Sequence, residues 1–119
     1  MSRLIHLTHL MGATKNSLAG LARAWKGEQA FRHEVLLLPF LALLLLLTGK
    51  SAGDWLLVLG GWIAVMVVEL LNSAIEEAFD LISRDWNSQI KAGKDMASAA
   101  IFLTMLINAG LWLYVFFLS

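Results

Sequence analysis

Residues 61–79, GWIAVMVVELLNSAIEEAF, make an apolar run of membrane length whose polar members keep helical time. Glu69, Asn72, Ser73 and Glu76, with Asp80 one turn further on, fall at i, i+3, i+4, i+7 and i+11. At 3.6 residues per turn they share one narrow face, and the other faces are Val, Leu, Ile, Met and Ala. This spacing selects the helix. An ionisable group in a spanning helix costs roughly 3 kcal/mol on insertion scales, so a line of carboxylates points to function. A structural polar seam would need only one Asn or Ser. Glu77 lies about 100° round from Glu76 and reads as an interfacial charge.

The rest of the chain agrees with a membrane protein. Of 119 residues, 59% are hydrophobic and 15% charged, and the mean hydropathy is +0.72. A soluble domain of this size could not hide so much apolar surface. The net charge is zero and suggests no nucleic-acid partner. There is no cysteine, hence no disulfide framework or thiol chemistry. With one proline and no low-complexity linker, residues 1–119 read as a single membrane-embedded domain.

Four segments are expected. Residues 2 to about 28 mix Leu4, Leu7, Leu10, Leu18, Leu21 and Trp25 with Arg3, Lys15, Arg23 and Lys26, and read as an amphipathic basic helix, or two, at the membrane interface. No continuous apolar core follows these charges, so a signal peptide is not expected. A first span covers about 30–47, a second about 55–82 and a third about 96–118. The stretch 48–54 is a tight turn, and 83–95, SRDWNSQIKAGKD, is a polar connection. Basic residues set the orientation. Residues 1–33 and 83–95 hold all of them except Lys50, which puts the N-terminus and the 83–95 loop in the cytoplasm and the C-terminus outside.

Two further polar groupings accompany the carboxylate face. Lys91, Lys94, Asp95 and Ser98 recur at i, i+3, i+4 and i+7, and Glu28 and Arg32 are an i, i+4 pair preceding Glu34. Carboxylates beside a lysine suit a metal-bound polyphosphate, and oxygen donors suit Mg²⁺. His6 and His9 are spaced like a metal pair but read as surface polar residues. Thr48-Gly49-Lys50-Ser51 imitates the end of a phosphate-binding loop. The pattern needs a glycine where Leu44 stands, so this is a membrane turn.

The string Glu69-Leu-Leu-Asn72-Ser73-Ala-Ile-Glu76, then Asp80, then Lys94-Asp95-Met-Ala-Ser98-Ala-Ala, resembles the prokaryotic diacylglycerol kinase family. Ala24-Trp25…Glu28-Gln-Ala-Phe31-Arg32-His-Glu34 matches that family's N-terminal motif. The resemblance covers nearly the whole chain and leans toward the Gram-negative lipid-kinase branch. It implies an all-α homotrimer in the bacterial inner membrane, each subunit with three spans and an N-terminal surface helix, its C-terminus periplasmic. The implied reaction moves the γ-phosphoryl of ATP to diacylglycerol with Mg²⁺, giving phosphatidic acid, at sites shared between neighbouring subunits.

By motif match, Glu69 would be the general base, and Glu28 and Glu76 would hold Mg²⁺. Those two, with Asn72, Lys94 and Asp95, would contact ATP, and Asp85, Trp86 and Asn87 lie where the family's loop meets the nucleotide. Ser17, Arg23, Trp25, Phe31, Arg32, Glu34, Glu69 and Ser98 would contact the lipid. The chain departs from the family pattern at His9, Asn16 and Ala22, in the Asp85-Trp86-Asn87 loop, and at Gly93, where alanine is more usual. The base and metal positions are unaltered. A first alternative is an undecaprenol kinase with the same machinery. A small proton-coupled transporter would usually need four spans and one essential carboxylate, and a structural scaffold would need no acids in line.

Overall fold

The computed structural model describes residues 2–119. Four helices follow one another: α1 Ser2–Gly27, α2 Gln29–Leu47, α3 Ala52–Ile82 and α4 Ser88–Leu113, the last continuing as a π-helical turn Tyr114–Leu118. Among the described residues there is no strand. The chain divides into two compact units, Met1–His33 and Glu34–Ser119.

In the first unit α1 is one continuous helix, not two, and Gly12 and Gly20 do not break it. The Thr8, Thr14 and Ser17 hydroxyls each donate to the carbonyl four residues back, so these polar side chains are satisfied along the helix. Its apolar side chains Leu4, Leu7, Leu10, Leu18 and Leu21 are exposed. Arg32 Nη1 donates to the carbonyls of Trp25 and Lys26, at 2.9 and 3.0 Å. These are among the last carbonyls of α1, which have no partner within the helix. The guanidinium caps them, and the expected Glu28–Arg32 pairing gives way to this contact.

The second unit contains the core. Leu41 and Leu45 of α2, Val58, Trp62 and Val65 of α3, and Val115 are buried together. The spacings 41/45 and 58/62/65 are the i, i+4, i+7 rows of facing helices. Trp62 and Trp112 meet at 5.5 Å between ring centroids, tilted by 44°. Outside this seam the large side chains are exposed: Leu36, Phe40, Leu43 and Leu47 on α2, Leu56, Ile63 and Val67 on α3, Phe102, Leu103, Leu106 and Ile107 on α4. Three helices, Gln29–Leu47, Ala52–Ile82 and Ser88–Leu118, are long and apolar enough to cross a membrane. Side chains that water would reject are acceptable toward lipid.

The connections follow from local chemistry. α2 ends at Gly49, whose φ of 64° suits glycine. Lys50 N–H reaches the Leu45 carbonyl and Gly49 N–H the Leu46 carbonyl, the paired bonds of a Schellman stop. Ser51 caps α3, its Oγ accepting from Asp54 N–H at 3.2 Å. α3 and α4 form an antiparallel hairpin. Asn108 of α4 donates through Nδ2 to the Gly61 carbonyl at 3.0 Å. A Cβ on Gly61 would stand 2.8 Å from Leu111 Cδ1 and 2.9 Å from Asn108 Oδ1, so any larger residue there would force these side chains to shift.

One boundary differs from expectation. The polar connection is only 83–87, and α4 begins at Ser88, eight residues earlier than the apolar run. Asn87 Oδ1 accepts from the N–H groups of Gln89 and Ile90, at 2.8 and 3.2 Å. That cap starts a helix whose first two turns are largely polar, a signal that hydropathy does not carry.

Candidate functional site

The acidic face of α3 grades from closed to open. Glu69 and Asn72 are buried, Asp80 is half-buried and Glu76 is exposed. Asn72 Nδ2 donates to Glu76 Oε1 at 3.1 Å, one turn along the face. Its Oδ1 is buried with no partner, leaving a carbonyl oxygen available to accept a donor or face a cation. Glu34, near the start of α2, is buried beside Glu69, close enough for their carboxyl groups to act on each other electrostatically. The Glu34 carbonyl accepts from the Trp62 indole N–H at 2.8 Å. That bond joins α2 to α3 about two turns from Glu69, and periodicity gave no sign of it, because it uses a backbone acceptor.

At the open end α4 meets α3. Lys94 Nζ donates to Asp80 Oδ1 at 2.8 Å, both side chains being about a third exposed. Asp95 instead pairs with Lys91 on its own helix at 2.7 Å, where both are mostly exposed. The structure therefore gives Lys94 an acid from the facing helix and Asp95 a lysine from its own. Asp80 was legible as a member of the face, but its lysine was not, since the pairing depends on the register between two helices. An exposed pair such as Lys91–Asp95 adds little stability.

The remaining candidates lie as follows. Asp85, Trp86 and Asn87 are exposed in the 83–87 connection, and Asn87 is engaged in capping. Ser98 is exposed on α4. In the first unit Ser17, Arg23 and Trp25 are exposed on α1, Glu28 is half-buried between the helices, Arg32 is half-buried in its capping role, and Phe31 is buried. Among the described residues no group of three or more His, Cys, Asp or Glu side chains forms a ready metal cage. The α3 face offers the exposed Glu76 carboxylate oxygens, and the Asn72 amide hydrogen-bonded to them carries a further, buried oxygen. Such a hard oxygen set fits Mg²⁺, which commonly takes one or two carboxylates and completes its shell with phosphate and water.

Three helices are long and apolar enough to cross a membrane, and one of them carries acids and an amide in line on a single face, the pattern of an integral membrane protein. Residues 15–116 match the family model described as prokaryotic diacylglycerol kinase. A diacylglycerol kinase of Haemophilus influenzae is 38% identical over 112 residues, spanning 94% of this chain and 95% of the relative. One of Pseudomonas aeruginosa is 39% identical over 106 residues, 89% and 86% of the two chains. One of Escherichia coli K12 is 31% identical over 105 residues, 88% and 86%. The chain belongs to the prokaryotic diacylglycerol kinase family, and is thus a kinase, an enzyme of the phosphotransferase class.

Proposed function

We propose that this protein transfers the γ-phosphoryl group of Mg²⁺-bound ATP to the hydroxyl of diacylglycerol at the cytoplasmic face of the bacterial inner membrane. The observation that carries the reading is the graded face of α3: a buried glutamate at one end and, two turns away, an exposed glutamate bonded to Asn72. The offset along the axis is about 10 Å, from seven residues at a 1.5 Å rise. It suits a substrate that stays in the leaflet at one end and a water-borne nucleotide at the other.

Phosphoryl transfer asks a protein mostly to position reactants and neutralise charge. Glu69 receives the proton of the lipid hydroxyl as its oxygen bonds to the γ-phosphorus and the bond to ADP breaks. The burial that surrounds Glu69 keeps water, the competing acceptor, from the attacking position. Glu76 and, by motif match, Glu28 hold Mg²⁺, which when bound offsets phosphate charge. Asn72, Lys94 and Asp95 orient the phosphates, and Asp85, Trp86 and Asn87 border the nucleotide. Ser17, Arg23, Trp25, Phe31, Arg32, Glu34 and Ser98 contact the lipid. The N-terminal helix α1 rests in the interface through its exposed leucines, and the active unit is a homotrimer whose sites are shared between neighbours. The concentration of basic residues in 1–33 and 83–95 supports a cytoplasmic N-terminus and connection, with the C-terminus periplasmic.

Radiolabel transfer from ATP to extracted lipid, with purified protein in mixed micelles, tests this. Diacylglycerol and undecaprenol are supplied separately, with Mg²⁺ and with chelator. Mg²⁺-dependent labelling of diacylglycerol is expected. Labelling of undecaprenol alone would replace the substrate and keep the mechanism, and labelling of neither would end the reading.

A further inference from the structure

The α3–α4 hairpin closes at its open end on a contact between Phe79 and Gly93. A Cβ built on Gly93 would overlap the Phe79 Cζ and stand 2.7 Å from Cε2 and 3.3 Å from Cε1. The tip of the ring thus occupies the space of the side chain that residue 93 lacks. The next residue on each helix is a member of the cross-helix ion pair, Asp80 after Phe79 and Lys94 after Gly93. The contact and the ion pair therefore share both backbones. Gly93 does not need its conformational freedom here, since it lies inside α4 with ordinary helical torsions. Glycine in a helix interior is less favourable than alanine, so its place here calls for a packing reason. The Lys94 side chain is long enough to wander if the helices spread, and a pair about a third exposed has little strength of its own to hold it.

We propose that Phe79 and Gly93 are positioning residues, a ring-in-notch contact that fixes the α3–α4 spacing so that the Lys94 ammonium stands on Asp80, aimed for the nucleotide phosphates. The second half of that statement rests on the phosphate role given to Lys94 above; the first half does not. A methyl at 93 either displaces the ring, which removes the contact that sets the spacing, or pushes α4 away, which moves the backbone that carries Lys94. A smaller side chain at 79 frees room for that methyl and restores the spacing.

Three variants of the full protein test this in mixed micelles: Gly93→Ala, the double variant Phe79→Val with Gly93→Ala, and Lys94→Met as a control. Two readouts are taken. One is the KM for MgATP against kcat. The other is the acylation rate of the Lys94 amine, referenced to Lys91 in the same molecule and read by peptide mass spectrometry. For Gly93→Ala the expected result is faster Lys94 acylation and a KM raised on the order of fivefold to tenfold, as misplacement by a fraction of an ångström produces, with kcat changed less. The double variant should return both toward the parent values. Unchanged Lys94 acylation in Gly93→Ala, or failure of the double variant to restore it, overturns the positioning role. If Lys94→Met leaves the KM for MgATP unaltered while Gly93→Ala still speeds acylation, the ring-in-notch contact stands and the phosphate role of Lys94 falls.

Discussion

Glu69 and Glu76 lie on one face of one helix, yet they meet different surroundings, and their variants should fail differently. Replacing Glu69 by Gln keeps the shape and removes the proton acceptor. Turnover should fall by at least about 100-fold, the usual range for a lost general base, while MgATP binding by calorimetry is kept; normal turnover would remove Glu69 from the chemistry. Glu76→Gln keeps the Asn72 hydrogen bond within reach but removes a charge, so the Mg²⁺ dependence should shift to higher concentration; an unchanged titration would refute its role as a ligand. The face itself was readable from the i, i+3, i+7 spacing, because one helix determines it. Who pairs with whom was not. Lys94 takes Asp80 and Lys91 takes Asp95, and the first choice depends on how far two helices slide past each other.

Helices are where hydropathy and capping give different answers. The spans showed in the sequence because Leu36 to Leu47, Trp55 to Val68 and Ile101 to Leu118 are long runs of side chains that water rejects. The start of α4 did not, because Gln89, Lys91, Lys94 and Asp95 look like a loop and only Asn87 announces a helix. Asn87→Ala should therefore cost about 1 kcal/mol of stability, seen as a lower denaturation midpoint in micelles. Gly61 holds the opposite half of the hairpin. Asn108 is tied to the Gly61 and Thr104 carbonyls, at 3.0 and 2.9 Å, and cannot easily retreat. A methyl at Gly61→Ala should cost about 1–3 kcal/mol through overpacking, measured by the same unfolding titration, and a neutral result would mean that α4 slides freely at this level.

For the molecule as a whole, the absence of cysteine gives a clean background for topology. Single cysteines at Arg84 and at Ser119 should react with an impermeant maleimide from opposite sides of sealed inside-out vesicles, the first from the exposed cytoplasmic face. Labelling of both from one side would invert or abolish the proposed orientation. Cross-linking in lipid should stop at three copies, and a monomer alone would contradict the shared site. The 31 residues of α3 make a rod about 46 Å long, against a hydrocarbon layer of about 30 Å. Glu76, Glu77 and Asp80 occupy its last two turns, so the depth at which Glu76 and Asp80 ride depends on where the oil ends. Short-chain lipids would strand that end in water, and long-chain lipids would drag it under the headgroups at a cost of a fraction of a kcal/mol per ångström. A rod of fixed length thus ties the depth of its acidic end to the thickness of the bilayer around it.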